Sequence, residues 1–143
     1  MLFWENQKVI HTFYIQCTKP VCAAYGLTQM EFDILMFLHN NPQHDTASDI
    51  VKLRMLTKSH VSSALKSLEN KRYITKSYQN GNRKTVHLAI TEAAADILND
   101  GKTAQMKFAQ QLFRGFSNEE FEFCKALFSR MYTNARDNIH PEV

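Results

Sequence analysis

The apolar residues of segment 57–70 recur at helical spacing and constrain the fold more than any other feature of the chain. Four of them stand at i, i+3, i+4 and i+7, which predicts a helix with one buried stripe. They are Val61, Ala64, Leu65 and Leu68. Thr57 precedes the pattern as a good N-cap. The opposite face carries Ser59, Ser62, Ser63, Lys66 and Asn70. Such a face is unusual for a solvated helix, where Glu/Lys ladders are common.

Two further helices are predicted before this one. Thr28 with Glu31 forms a capping box, and Leu27 with Phe32 supplies a hydrophobic staple, so a helix begins at Thr28 and ends before Pro42. A second helix is expected from roughly Thr46 to Arg54, and a short turn joins it to the helix that follows Thr57.

A β-hairpin is predicted after the amphipathic helix. The β-like runs lie at 73–78 and 85–90, and Asn80-Gly81 between them is a strong turn signal. The hairpin tip is polar and positively charged, since it includes Arg83 and Lys84.

The two ends of the chain read as apolar helices. The first spans residues 3–25, with a kink or break expected near Pro20. A long helix is expected from 92 to about Phe113, and a last one from Ser117, which forms a capping box with Glu120. One small domain cannot easily bury so many apolar residues, which predicts a subunit interface and a homodimer.

The charge of the chain is strongly polarised. Residues 52–84 hold nine of the seventeen Lys and Arg residues and one of the fourteen acidic residues, Glu69, which gives this segment a formal charge of +8. The remaining residues sum to −5, because eight are basic and thirteen acidic. A local basic surface on compact structure is typical of a protein that binds phosphates.

Size and composition exclude several classes of protein. A length of 143 residues fits one domain, or one domain with a dimerisation extension. No apolar run reaches the roughly 18–20 residues that span a bilayer, and the N-terminus lacks a signal-peptide layout. We therefore expect a cytoplasmic protein without a membrane partner. No cofactor motif, nucleophile–base set or paired-carboxylate site occurs, so an enzyme is not expected.

The cysteines and histidines carry weaker signals. Three cysteines without a CxxC pair indicate reduced thiols, and buried small hydrophobes are the ordinary reading of Cys17, Cys22 and Cys124. Lys19 near Cys17 leaves a thiol-based redox sensor as an alternative. His39 and His44 lack an obvious third ligand, so no metal site is predicted.

Two helices joined by a tight turn and followed by a basic hairpin describe a winged helix-turn-helix. The fold class expected is mainly α with a small β-hairpin wing. One helix fits the major groove of DNA, and a basic hairpin can reach the neighbouring minor groove. The phosphate-contact candidates are Lys52, Lys58, Lys66, Arg72, Lys76 and Lys84. The base-edge candidates are Ser59, Ser62, Ser63 and Lys66, with Arg83 in the minor groove. Thr57 and His60 lie at the helix start, where phosphate contact is expected.

Residues 27–91 resemble a MarR-family transcriptional regulator. Leu27-Thr28, the helix pair ending in Leu68-Glu69, and the wing closing on Ile90-Thr91 fall in that family's order. The resemblance implies a recognition helix at 57–71 and a wing-tip base at Arg83 or Lys84. The family's wing has an Asp-x-Arg pattern, whereas this chain has Asn82-Arg83-Lys84.

The same resemblance implies the organisation and the regulation of the chain. Residues 1–27 and 92–143 correspond to dimerisation helices, and residues 28–91 to the DNA-binding domain. Repression of a pseudo-palindromic operator and release by a small aromatic effector are the implied behaviour. Tyr14, Tyr25 and Phe32 are candidates for an effector pocket, although they are equally good core residues. A winged-helix module that binds an acidic protein in place of DNA remains the alternative.

Overall fold

The computed structural model describes residues 3–140 and divides into two compact units between Phe108 and Ala109. The first unit holds the first four helices, a two-stranded sheet and most of the fifth helix. The second holds the end of the fifth helix and the whole of the sixth. The elements are α1 (Phe3–Tyr25), α2 (Gln29–Asn40), α3 (Ala47–Leu53), α4 (Lys58–Asn70), β1 (Ile74–Ser77), β2 (His87–Ile90), a 3-10 turn (Glu92–Ala94), α5 (Ala95–Leu112) and α6 (Asn118–Asp137). The mainly helical fold class with a hairpin wing is confirmed.

The sequence predicts a kink or a break near Pro20, and the break is wrong, because helix α1 continues through this residue. A proline removes one backbone hydrogen bond, and packing on both sides of it offsets that loss. Thr18 is fully buried and its hydroxyl donates to the carbonyl of Tyr14 at 3.1 Å, while Val21 and Cys22 are buried in the core.

Both predicted helix starts before α4 are confirmed, and each is a capping box. The Thr28 hydroxyl accepts from the Glu31 N–H, and the Glu31 carboxylate accepts from the Thr28 N–H. Thr46 and Asp49 repeat the arrangement at α3. These caps satisfy amides that would otherwise lack partners in the first turn, so local sequence sets where both helices begin.

The core of the first unit forms around α2. Phe32, Ile34 and Leu35 are at most 1% exposed. Helix α5 approaches α2 closely at Gly101, where a Cβ atom would lie 2.7 Å from the Met36 Sδ. Any larger residue there would force the Met36 and Phe32 side chains to shift.

Helix α4 begins and packs as predicted. Thr57 is its N-cap, and its hydroxyl accepts from the His60 N–H at 3.2 Å. The apolar stripe faces the core, with Val61 1%, Leu65 2% and Leu68 0% exposed. The helix ends in a Schellman motif: the Tyr73 N–H donates to the Leu68 carbonyl and the Arg72 N–H to the Glu69 carbonyl. Arg72 has φ of 65° at the position that glycine usually takes.

The hairpin is confirmed, but its strands are shorter than the runs 73–78 and 85–90. The antiparallel ladder extends from Ile74↔Ile90 to Ser77↔His87. Residues 78–86 form the loop, because the Asn82 N–H closes a turn on the Gln79 carbonyl at 3.0 Å and Gly81 has φ of 76°. The turn needs that positive φ, which glycine adopts without strain.

A carboxylate at the start of α2 binds the end of α4. Glu31 is 3% exposed and accepts hydrogen bonds from the Ser67 hydroxyl at 2.9 Å and the Lys71 ammonium at 3.0 Å. Burial tends to raise the pKa of Glu31, but the hydrogen bonds from Thr28, Lys71 and Ser67 outweigh it and hold the pKa below the ordinary value of 4.5. The ionised carboxylate therefore stabilises the fold.

A second, partly buried carboxylate lies further along α2. Asp33 accepts from the Gln29 side chain at 3.1 Å and from the Tyr14 hydroxyl at 3.5 Å, and it lies 3.6 Å from the Arg54 guanidinium. Burial raises the pKa of Asp33 more than Gln29 and Arg54 lower it. The pKa shifts of Asp33 and Glu31 therefore have opposite directions. The surroundings favour the ionised form of Glu31 and disfavour the ionised form of Asp33.

No single helix among the described residues is long and apolar enough to cross a membrane. Only α1 and α2 taken together reach that length and composition, and they are bent by 99° at their junction.

We predict that Glu31→Gln lowers the free energy of unfolding by roughly 2 kcal/mol at neutral pH, the scale of hydrogen bonds to a charged group. Because the folded-state pKa of Glu31 lies below 4.5, its contribution is present above that value and is lost as the pH falls through the folded pKa. The difference between wild type and variant should therefore close in acid. Thermal denaturation as a function of pH measures it.

Glu120→Gln is the matched control, because Glu120 forms the same capping box with Ser117 at an exposed position. It should cost much less stability than Glu31→Gln. Equal losses in the two variants, or a Glu31→Gln deficit that is unchanged in acid, would contradict the assignment.

Candidate nucleic-acid interface

The exposed face of α4 holds all of the predicted base-edge residues. Burial of the apolar stripe forces Ser59, Ser62, Ser63 and Lys66 to the solvent side, and all four are exposed. Three short hydroxyl side chains, at positions 59, 62 and 63, leave the helix backbone accessible over little more than one turn. A surface of this shape and polarity fits the major groove, where donors and acceptors on base edges are read at close range.

The N-terminus of α4 is exposed together with this face. Thr57, Lys58 and His60 are all exposed, and the Thr57 hydroxyl oxygen is already occupied by the cap. The first-turn amides and the Lys58 ammonium favour an anion at this end of the helix. His60 and Ser63 also border an open depression against the start of α2.

The basic residues of segment 52–84 divide into two groups. Arg54 and Lys71 contact Asp33 and Glu31 and so belong to the fold, and neither was a predicted phosphate contact. Lys76 was predicted as one, and its ammonium lies 3.7 Å from the Glu69 carboxylate. The other predicted phosphate contacts are exposed: Lys52, Lys58, Lys66, Arg72 and Lys84. These exposed cations therefore lie on α3, on α4 and just after its end, and on the wing.

The Asn82 side chain forms hydrogen bonds inside the wing tip. Its side-chain carbonyl accepts the Lys84 N–H at 3.0 Å, and its amide donates to the Thr85 hydroxyl at 3.2 Å. An aspartate could accept the same backbone N–H, so asparagine keeps this part of the turn while removing a negative charge. Arg83 and Lys84 are exposed beside it.

The three predicted effector-pocket residues have different surroundings. Phe32 is 0% exposed and lies in the core. The Tyr14 hydroxyl accepts from Gln105 at 3.1 Å, and burial raises its pKa. The Tyr25 hydroxyl donates to Asp100 at 2.6 Å, a contact that raises the pKa of Tyr25 to about 12. The two tyrosines thus bridge α1 to α5.

The thiols and histidines present no assembled metal site within residues 3–140. No three His, Cys, Asp or Glu side chains converge there in a way that could hold a metal ion. Cys17 and Cys124 are half-buried, and Cys22 is buried. Burial, followed by the negative charge of Asp33, raises the pKa of Cys22, which disfavours the reactive thiolate.

Sequence reasoning missed the contact that joins the wing to α3. His87 pairs across a β-bridge with Thr46, and the His87 Nδ1 lies 3.2 Å from the Asp45 carboxylate. A single bridge leaves no alternating pattern in segment 45–47, so no signal was present there. Tyr78, at the base of the wing and 53% exposed, was also missed.

Comparisons with known proteins agree with this geometry. Residues 25–83 match a model of the MarR family. The HTH-type transcriptional regulator PecS of Dickeya dadantii (strain 3937) is 27% identical over 120 residues, which are 82% of this chain and 72% of PecS.

Solved structures with the same fold include two in complex with DNA. A putative MarR-family regulator from Listeria monocytogenes, bound to 26mer DNA, has a TM-score of 0.82 at 14% identity and covers 100% of this chain and 99% of its own. The S. aureus MepR–DNA complex has a TM-score of 0.76 at 20% identity, with 94% and 96% covered. With the winged helix-turn-helix described above, these matches show that residues 25–83 are similar to the MarR family of transcriptional regulators and that the chain has the fold of that family's solved structures.

Proposed function

We propose that this protein is a sequence-specific double-stranded DNA-binding regulator that acts as a homodimer on a pseudo-palindromic operator. The observation that carries the proposal is the exposed face of α4, where serine hydroxyls and Lys66 stand between basic residues at both ends of the helix. The DNA complexes of two proteins with this fold support it. Repression is the expected outcome, by occupation of a promoter, and the protein works in the cytoplasm without catalysing a reaction.

Each contact type has a separate task on the operator. Lys52, Lys58, Lys66, Arg72, Lys76 and Lys84 hold phosphates. Serines of α4 read base edges in the major groove, and Arg83 enters the minor groove, whose narrow, negative channel attracts a guanidinium. Phosphate contacts release counterions, so affinity falls steeply with salt concentration.

The terminal helices supply the proposed dimer interface, with residues 28–91 as the DNA-binding part between them. No described residue of α6 is buried, although the helix is rich in aromatic and aliphatic side chains. Phe123 is 67% and Phe128 56% exposed, and at the other end of the chain Trp4 is 72% exposed. Such surfaces are normally covered by a second subunit. A two-fold axis would then place two α4 helices about one turn of DNA apart, roughly 34–36 Å.

A small aromatic effector is proposed to act between the dimerisation and DNA-binding parts, near Tyr14, Tyr25 and Phe32. A ligand relieves DNA binding only if it favours a dimer whose two α4 helices are wrongly spaced. Phe32 is 0% exposed, so contact with it requires the core to open. The engaged hydroxyls of Tyr14 and Tyr25 tie α1 to α5, where a ligand could act on helix spacing.

We predict that Arg83→Ala weakens binding to the preferred duplex about tenfold and relaxes the preference for the base pairs under the wing. Lys84→Ala should weaken binding to all duplexes similarly and reduce the slope of log affinity against log salt by about 1. Competition gel shifts against bulk duplex measure both effects.

Lys102→Ala is the control, because Lys102 is an exposed cation on α5, outside the proposed DNA-binding surface. A protein-interaction module would bind all duplexes alike and would respond equally to loss of Arg83, Lys84 or Lys102. That pattern would contradict the proposed function.

We predict that Phe128→Glu converts the dimer into monomers and weakens operator binding at least tenfold, because a carboxylate would be buried without a partner in the interface. Ser129→Glu is the control, since Ser129 is exposed and lies about 100° around α6 from Phe128, away from the proposed contact, so it should leave the dimer intact. Light scattering coupled to gel filtration measures the mass. A Phe128→Glu protein that remains dimeric, or a wild-type protein that is monomeric, would remove α6 from the interface.

A further inference from the structure

The imidazole of His87 joins the wing to the loop before α3. Its Nδ1 lies 3.2 Å from both carboxylate oxygens of Asp45. His87 is the first residue of β2, and Asp45 immediately precedes Thr46, the N-cap of α3. The pair therefore links two elements that are 42 residues apart in sequence.

Backbone hydrogen bonds define the same junction. The Leu88 N–H donates to the Asp45 carbonyl at 2.8 Å, and the Ala47 N–H donates to the Val86 carbonyl at 3.2 Å. These bonds fix the spacing between β2 and segment 45–47. Because these two bonds lie close together along the strand, they resist tilting of the long loop 78–86 only weakly. The Asp45–His87 side-chain pair adds a third contact, which lies to one side of the backbone hydrogen bonds.

The base of the hairpin is attached to the end of α4. The Thr91 hydroxyl donates to the Arg72 carbonyl at 2.6 Å, and the Thr91 N–H to the Tyr73 carbonyl at 3.0 Å. The wing is thus held between the end of α4 and the start of α3. Its tilt relative to α4 decides where Arg83 lies when α4 is in the major groove.

We infer that Asp45 and His87 position the wing and so set how strongly the protein prefers the base pairs beneath Arg83. This inference rests on the proposed function. Both residues act through Arg83 and are positioning residues. Their side chains are 44% and 23% exposed, so the pair contributes little to overall stability and its loss leaves the fold intact.

A double-mutant cycle on the full chain tests this inference. Asp45→Asn should weaken binding to the preferred duplex roughly fivefold, the scale of one modest ion pair. Arg83→Ala should then cost less in the Asp45→Asn background than in wild type, because the guanidinium is already misplaced. His87→Gln should reproduce both effects. Thermal melting by circular dichroism should show all variants folded.

His44→Gln is the matched control. The His44 Nδ1 lies 3.9 Å from the Asp49 carboxylate, so it forms a similar histidine–carboxylate pair in the same region without joining the wing. It should leave the effect of Arg83→Ala unchanged. The inference is overturned if Arg83→Ala costs the same in wild type and in Asp45→Asn, or if His44→Gln weakens the coupling as much as Asp45→Asn.

Hydrogen exchange separates this inference from the proposed function. If the wild-type protein prefers no duplex, the proposed function fails by itself. The amide of Leu88 should still exchange faster in Asp45→Asn than in His44→Gln, because the junction has lost its side-chain link. Equal exchange rates in those two variants would overturn the positioning role whether or not DNA is bound.

Discussion

Burial of the apolar stripe of α4 against α2 and α3 is the constraint on which the rest of the first unit depends. Val61, Leu65 and Leu68 are almost completely removed from water, so the helix has only one rotation that hides them. That rotation sends Ser59, Ser62 and Lys66 outward. Packing of the core therefore suffices to expose the polar surface that is proposed to read DNA.

The packing of α4 against α2 also decides which basic residues of segment 52–84 pair with carboxylates inside the first unit. Two carboxylates of α2, the buried Glu31 and the partly buried Asp33, pair with Lys71 and Arg54 of the basic segment and so attach α4 and the end of α3 to α2. The opposite pKa directions of Glu31 and Asp33 show that the two contacts are not equivalent, because hydrogen bonds dominate at Glu31 and burial dominates at Asp33. The other exposed cations lie on α3, on α4 and just after its end, and on the wing. Basic residues of the same segment, 52–84, therefore both stabilise the fold and form the proposed interface.

Local signals in the sequence were enough to predict the helices, their caps and the hairpin. Thr28, Thr57 and Ser117 cap helices as expected, and Thr46 caps the helix that was expected to begin near it, since capping depends on residues within one turn. Contacts between distant segments could not be predicted. The Asp45–His87 pair and the Glu31–Lys71 pair bring together residues that are far apart in the chain, and continuity of α1 through Pro20 depends on tertiary packing. The charge count also treated Lys71 and Lys58 alike. Only the structure shows that Lys71 pairs with the buried Glu31, whereas Lys58 is exposed at the start of α4.

The most direct measurement of the central claim is selection of bound sequences from a pool of random DNA duplexes with the full chain. The account predicts enrichment of a sequence with dyad symmetry whose half-sites lie about one helical turn apart, because two α4 faces related by a two-fold axis read successive major grooves. Sequences no different from the starting pool would contradict it, since an exposed serine face between basic residues would then have no reading function.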